Sequence, residues 1–285
     1  MRYRFLRFPG GLMKAVTLSY DDGVRQDIRL ADILNKHGMK GTFNINSSKL
    51  AGNARCLSRD ELKEYITDFG HEIAVHGKYH IAPGIAQSPQ AIRDVLDCRL
   101  ELEEAFGTII RGMAYPDSGI TRLHTGTDYA EIRAYLKSLG IAYSRTLSGD
   151  NNTFMLPSDF YAWMPTAKHT NPNLFKWVDE FVALDEKSLY LTSTYPRLFY
   201  LWGHSYEFDN DNNWDVIEEF CDRIGGRADT WYATNIEICD YVEAYSRLVT
   251  SANGETVYNP TLTEIFFTAD GKHYSIKPGQ TVRLG

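Results

Sequence analysis

The chain has 285 residues, 43% of them hydrophobic and 24% charged, with a formal net charge of −7. That is enough for one large globular domain, or one domain with an appendage, around a substantial core. The acidic balance disfavours a nucleic-acid backbone as partner, and no run approaches the roughly 20 apolar residues of a membrane span.

The N-terminal stretch Met1-Arg2-Tyr3-Arg4-Phe5-Leu6-Arg7 has no signal-peptide core, so a cytoplasmic protein is expected, with secretion the alternative if the natural start is truncated. A strand is expected over 14–19. It runs into Asp21 and Asp22, and Gly23 allows a sharp turn into a helix over 24–37 that ends at Gly38. A strand over 41–45 and a helix over 59–69 follow. Next comes a strand over 72–75 that delivers Val75-His76-Gly77-Lys78-Tyr79-His80. The helix over 88–106 is well marked, with Ser88 to cap it, Pro89 at its first position and Gly107 at its end. Strands at 110–114, 141–144, 198–203 and 230–234, with a weaker one near 160–164, alternate with helices at 127–139, 173–185, 214–224 and 236–248. Alternation of this kind argues for parallel strands with crossover helices, an α/β fold closed as a barrel over residues 1–248.

Beyond residue 249 the composition changes. Short strands are expected at 256–258, 265–268 and 273–276, with Asp270-Gly271 as a hairpin turn. Residues 249–285 thus read as a small β appendage, available to pack on the barrel or to join two copies as a homo-oligomer. No G-x-G-x-x-G or Walker-type loop follows any strand. The four cysteines, Cys56, Cys98, Cys221 and Cys239, form no C-x-x-C pair and read as reduced core thiols.

Two histidines four apart on a helical turn can reach one ion, and they lie just past a strand end, as Asp21 and Asp22 do. One carboxylate with two imidazoles leaves open positions on a metal, as catalysis requires. The chemistry suits Zn²⁺, or Fe²⁺ or another transition metal. Two further strand ends carry polar groups: Arg111-Gly112-Met113-Ala114-Tyr115-Pro116-Asp117 and Leu201-Trp202-Gly203-His204.

This ordered set of motifs resembles the polysaccharide deacetylase family, the NodB-homology group also called carbohydrate esterase family 4, over roughly residues 14–240. The resemblance implies a distorted (β/α)7-type barrel holding one divalent metal, Zn²⁺ first, with Co²⁺, Mn²⁺, Ni²⁺ or Fe²⁺ as alternatives. It implies Asp22, His76 and His80 as metal ligands and Asp21 as general base on the activated water. Arg111 would orient Asp21, the Tyr115 backbone N–H would stabilise the oxyanion, and His204 would protonate the leaving amine. Several positions depart from the family pattern. Ser19-Tyr20 precedes the two aspartates, Asp117-Ser118-Gly119 follows Pro116, and the Leu-x-His motif is one residue longer at Leu201–His204. Trp163 after Asp159 is the candidate for the Asp-and-Trp motif. Trp202 reads equally as a pocket wall or a core residue; His169 reads as a surface histidine before a substrate contact, and Glu207, three residues after His204, as a solvated carboxylate before a group that tunes His204.

The expected function is therefore metal-dependent removal of N-acetyl groups from an acetamido sugar, oligosaccharide or polysaccharide, with a soluble oligosaccharide or small glycoconjugate favoured over intact wall. The alternatives are hydrolysis of another C–N amide bond or an O-acetyl ester, or carbohydrate binding without catalysis.

Overall fold

A short strand β1 (Arg4–Arg7) precedes β2 (Lys14–Asp21), the strand on which the sheet is built; all eight residues of β2 are buried. The computed structural model describes residues 3–117, 119–147, 151–186 and 194–285. On one side of β2 lie β3 (Thr42–Ile45), β4 (Glu72–Val75), β5 (Gly112–Ala114) and β6 (Tyr143–Arg145), in that order. On the other lie β8 (Arg197–Gly203) and then β7 (Ala167–Lys168), and β9 (Thr230–Tyr232) pairs with the first half of β2. All these pairings are parallel. The segment from Trp163, which bridges Arg145 of β6, to Ala167, which pairs with Leu201 of β8, joins the two ends of the curled sheet. The result is a curled α/β half-barrel, a form of the expected distorted (β/α)7-type barrel.

Helices α1 (Asp27–Lys36), α2 (Arg59–Tyr65), α3 (Ser88–Phe106), α4 (Tyr129–Ser138), α5 (Leu174–Val182), α6 (Tyr206–Asn210), α7 (Asp215–Ile224) and α8 (Asn235–Ser246) connect the strands. Their apolar stripes cover the outer face of the sheet. On α3 the buried Ala91, Val95, Cys98 and Leu102 recur every three or four residues. The period-two alternation of the strands sorts their side chains. Val16, Leu18 and Tyr20 of β2, Phe43 and Ile45 of β3, and Val75 and Met113 face the helix layer. Thr17, Ser19 and Asp21 fall on the opposite parity and are buried inside the barrel. By the same alternation Asn44, Ala114, Arg145 and Trp202 share the interior with them.

The C-terminal region forms β10 (Val249–Thr250), β11 (Thr256–Tyr258), β12 (Ile265–Ala269), β13 (Lys272–Ile276) and β14 (Thr281–Arg283). Asp270 and Gly271 join β12 to β13 with φ of 50° and 79°, the two positive values that a tight two-residue hairpin needs. An antiparallel partner for β12 comes from the far end of the chain: Arg4–Arg7 of β1 pairs with Phe266–Ala269. Leu6, Phe8, Ile265 and Phe267 then share one apolar cluster with Tyr241 and Ile238 of α8 and with Leu198 and Tyr200 inside the barrel.

The structure differs from expectation in a few local features. The weak strand near 160–164 is a 3-10 turn, Phe160–Ala162, with Trp163 alone making a sheet bridge. Ser88 is the first residue of α3 and does not cap it; its hydroxyl instead faces Thr127 and Glu131. A helical turn, α6, stands right after His204. All four cysteines are free and buried, as expected. No described helix is long and apolar enough to cross a membrane.

At the amino end of the strands, Asn235 ties α8 to the barrel. Its Nδ2 donates to the Tyr200 hydroxyl (2.6 Å), its Oδ1 accepts from Thr17 (2.8 Å), and its backbone N–H donates to the Thr42 hydroxyl (3.0 Å). Asn235 is fully buried, so Asn235→Ala strands two hydroxyls in a dry interior. We expect a loss of about 2–6 kcal/mol in urea denaturation, from ~1–3 kcal/mol for each of the two orphaned groups. An unchanged midpoint would show that this network contributes nothing to stability.

Candidate active site

The parallel register brings the carboxyl ends of the strands to one rim. Asp21 lies opposite Asn44, Ile45 opposite Val75, and Ala114 opposite Arg145, while Tyr20 lies opposite Gly203. Asp21, His76, Arg145 and His204 therefore converge from four different strands or strand ends, where ligands bind in sheets of this kind.

Asp21 and Asp22 are neighbours in sequence with opposite fates. Asp21 ends β2, is fully buried and points into the barrel. Arg145 Nη2 donates to both of its oxygens, at 2.7 and 2.5 Å, and Asn44 Nδ2 donates to Oδ1 at 2.8 Å. Burial opposes ionisation of Asp21, but Arg145, His76 and His204 outweigh it and hold the carboxyl below its usual range. Asp22 has a φ of 82° and turns to the rim, where its side chain is partly exposed.

His76 and His80 do not sit on a helical turn. They lie in a loop that wraps around Asp94 of α3, whose carboxylate accepts from Tyr79 N–H (2.7 Å) and Ile81 N–H (3.3 Å). Gly77, at φ 73°, is required there, because a Cβ would lie 2.2 Å from Asp94 Oδ2. Asn46 braces the same loop through the His76 and Gly77 carbonyls. His80, like Asp22, has a positive φ, 61°, a strained backbone that the surrounding bonds impose.

The ligand atoms of Asp22, His76 and His80 all lie within 4.8 Å of one another. His76 Nδ1 lies 2.9 Å from the Ala114 carbonyl, which fixes the tautomer and leaves Nε2 as the acceptor. That Nε2 is buried and has no hydrogen-bond partner. His80 Nδ1 has a carboxylate behind it, Asp117 Oδ2 at 3.5 Å. An orphaned imidazole nitrogen, a second imidazole backed by a carboxylate and a nearby aspartate fit a divalent cation.

His204 stands just past β8 with Nε2 3.8 Å from Asp21 Oδ2. Its Nδ1 is 3.5 Å from Glu207 Oε1. Burial works against a charge on His204, but Glu207, Asp21 and Asp22 prevail and raise its pKa. Glu207 is not a solvated surface group. Lys168 Nζ lies 2.6 Å from Oε1 and His169 Nε2 lies 3.1 Å from Oε2. Burial opposes the Glu207 charge, yet His169, His204 and Lys168 hold it well below the usual carboxylate range. His169 is not a surface histidine either. It is 3% exposed, stacked on Tyr20, and pressed so close to β8 that a Cβ on Gly203 would lie 2.0 Å from its Nδ1. Trp202 is a wall of the interior, with the Arg145 guanidinium 4.4 Å from its ring centroid and His204 at 6.0 Å.

Two expected site residues are not at the site in the expected way. Arg111 precedes β5 at its amino end, about 10 Å of strand away from the rim at ~3.3 Å per residue. It pairs with Asp240 at 2.5 Å and borders a separate cavity of about 400 Å³ at the base of the barrel. Arg145, an inward residue on the adjacent strand, takes the place expected for Arg111 beside Asp21. The methyl group of Ala114 between them leaves the space open. Tyr115 N–H donates to the Arg145 carbonyl at 3.0 Å, so it is already spent in the sheet. Trp163 is buried in the interior cluster, edge-on to Tyr143 and Tyr200, and Asp159 accepts from Tyr129 and Tyr161. Ser118, in the segment after Pro116, lies outside the described residues. The one sequence signal for Arg145 was a lone arginine at the end of an expected strand.

The two arginines separate by experiment. Arg145→Ala should cost at least 10²-fold in turnover, and about 3–5 kcal/mol of stability from the abandoned buried carboxylate. Arg111→Ala should leave turnover within about twofold, since an exposed ion pair is worth about 0–1 kcal/mol. Equal losses in the two variants, compared at matched folded fraction, would reverse the assignment.

The polysaccharide deacetylase family model matches residues 9–143, the stretch that holds Asp21, Asp22, His76 and His80. No curated protein matches the sequence. Among solved structures, a Mycobacterium smegmatis protein assigned as a polysaccharide deacetylase aligns with a TM-score of 0.57 at 16% identity, over 85% of this chain and 94% of its own. Puue allantoinase aligns with a TM-score of 0.56 at 12% identity, over 82% of this chain and 91% of its own. At such identities the likeness is one of fold. The chain thus matches the polysaccharide deacetylase family model over its first half and shares the fold of the solved structures named here.

Proposed function

We propose that this protein is a metal-dependent hydrolase that removes N-acetyl groups from an acetamido sugar, oligosaccharide or polysaccharide. The observation that carries the reading is the cluster of Asp22, His76 and His80 donors within 4.8 Å, with the Asp21 carboxylate and His204 imidazole 3.8 Å apart beside it. A divalent ion held by those three residues, with Zn²⁺ the first candidate, supplies Lewis acidity to the amide carbonyl and to water.

The protein's own groups do the rest. Asp21, kept ionised by Arg145, accepts a proton from the attacking water through Oδ2, the oxygen that faces both His76 and His204. His204, with its pKa raised by Glu207 and the aspartates, donates its Nε2 proton to the departing amine. Glu207 fixes the His204 ring from the Nδ1 side, and Lys168 and His169 fix Glu207. With Tyr115 N–H in the sheet and no N–H on Pro116, Asp117 N–H is the next donor on that loop for the charge that grows on the carbonyl oxygen.

The direct test is acetate release from N-acetylglucosamine oligomers after chelation and metal add-back. Wild type should regain activity with metal, and Asp22→Ala should fall by about 10²-fold or more. Turnover of a cyclic amide or an O-acetyl ester, with no acetate from any acetamido sugar, would move the assignment to those bonds. Stoichiometric sugar binding without turnover under any metal would make the protein a binding relative.

The role of His204 predicts a pH effect with a defined sign. The general acid must be protonated, so activity falls as pH rises through its pKa. Glu207 raises that pKa, so Glu207→Gln should shift the basic limb of kcat/KM to lower pH. An unmoved basic limb would remove Glu207 from the proton pathway.

A further inference from the structure

A cavity of about 320 Å³ opens directly beside Asp22, and Lys49, Asn53, Arg55 and Tyr206 line it. A second cavity of about 340 Å³ shares Val24, Arg55 and Tyr206 with it, so the two form one groove leading away from the metal-binding rim. The protein as a whole is acidic, at −7, yet Asp22 is the one carboxylate lining the cavity beside it.

Arg25 in the adjoining cavity is neutralised by Glu61 at 2.7 Å, and Gln26 there is engaged by Asp209 at 2.7 Å. Among the described residues no carboxylate pairs with Arg55. Lys49 Nζ donates to Asn46 Oδ1 at 3.0 Å and lies 3.7 Å from Asp22 Oδ1, a carboxylate that a bound cation would claim.

Arg55 is also held in place by its backbone. Its loop is zipped antiparallel onto the turn that follows Asp22. Val24 bridges Cys56, Leu57 N–H donates to Gly23 O (2.9 Å), and Arg25 N–H donates to Arg55 O (3.0 Å). Asn53 Oδ1 closes the loop by accepting from Arg55 N–H (2.7 Å) and Cys56 N–H (2.9 Å). The guanidinium is thus left without a protein anion while its Cα is fixed against the metal motif. A positioned, unpaired arginine is suited to a planar or tetrahedral anion.

We propose that the substrate is an acidic acetamido sugar whose carboxylate or phosphate is bound by Arg55, with Lys49 and the Tyr206 hydroxyl beside it. This rests on the deacetylase reading above and adds the class of substrate. The anion would lie in the groove while the acetamido group reaches the rim, so Arg55 sets specificity and takes no part in proton transfer.

The test compares acetate release from N-acetylglucosamine, N-acetylmuramic acid and N-acetylglucosamine 6-phosphate, using wild type, Arg55→Ala, Arg55→Lys and Arg55→Glu with metal supplied. Wild type should favour one of the two anionic sugars by about tenfold or more in kcat/KM, the weight of one charge-assisted hydrogen bond. Which of the two it favours separates carboxylate from phosphate. Arg55→Ala should lose most of that preference through KM, Arg55→Lys should keep part of it, and Arg55→Glu should invert it, at unchanged melting temperature. No preference in wild type, or a preference that survives Arg55→Glu, would overturn the proposal and leave the deacetylase reading standing. If no acetamido sugar releases acetate, the deacetylase reading falls. Calorimetric titration of the same two anionic sugars then decides the groove: binding lost in Arg55→Ala supports the anion site, and no binding to wild type ends it.

Discussion

Everything at the rim depends on one buried ion pair, Asp21 with Arg145. Both side chains are fully buried. Two charges in a dry interior are costly unless each is well partnered, and breaking such a pair by removing one member costs about 3–5 kcal/mol. Here Asn44 adds a third hydrogen bond to the carboxylate, and the Trp202 ring lies against the guanidinium at 4.4 Å. The pair therefore does two things. It cross-links β2 to β6 through the barrel interior, across the strands that lie between them, and it keeps a carboxylate ionised where burial alone would protonate it.

The same interior explains why adjacent aspartates can differ so much. A strand alternates its side chains, so Asp21 follows Thr17 and Ser19 into the barrel. Asp22 leaves the strand with a positive φ and opens toward the histidine loop. Asp22 and His80 both take a positive φ where their donors must meet, and Asp94, Asn46 and the sheet hold them there. Rigid elements thus carry the polar groups, while the loops between Leu50 and Leu57 shape what can approach them.

Behind His204 a second polar cluster mirrors the first. Glu207 joins His204, His169 and Lys168 at contacts of 2.6–3.5 Å. The odd spacing Leu-Trp-Gly-His at the end of β8 has a steric reason: Gly203 is where the His169 ring presses against the strand, and only a residue without a Cβ admits it. The carboxylate that orients His204 thus comes from the helical turn just after it. The imidazole Nε2 then meets Asp21 and its Nδ1 meets Glu207.

What the sequence determined by itself was whatever depends on short-range pattern. Apolar runs and 3.6-residue stripes marked the strands and helices, capping and glycine signals set the ends of α3 to within a residue or two, and Asp-Gly specified the β12–β13 turn. Asp21, Asp22, His76, His80 and His204 were legible because each follows a readable strand. Tertiary structure alone decided what depends on parity and register between distant segments. Arg145, not Arg111, faces Asp21, because it is the inward residue at the carboxyl end of its strand. Tyr115 N–H is consumed by β6. Glu207 and His169, ordinary in sequence, become buried partners only when β7 and β8 align. The pairing of β1 with β12 joins segments about 260 residues apart, and no local pattern in Arg4-Phe5-Leu6-Arg7 announces it. Local preference is written residue by residue, whereas the company that a charge keeps is set by the register of a sheet that exists only once the chain has closed.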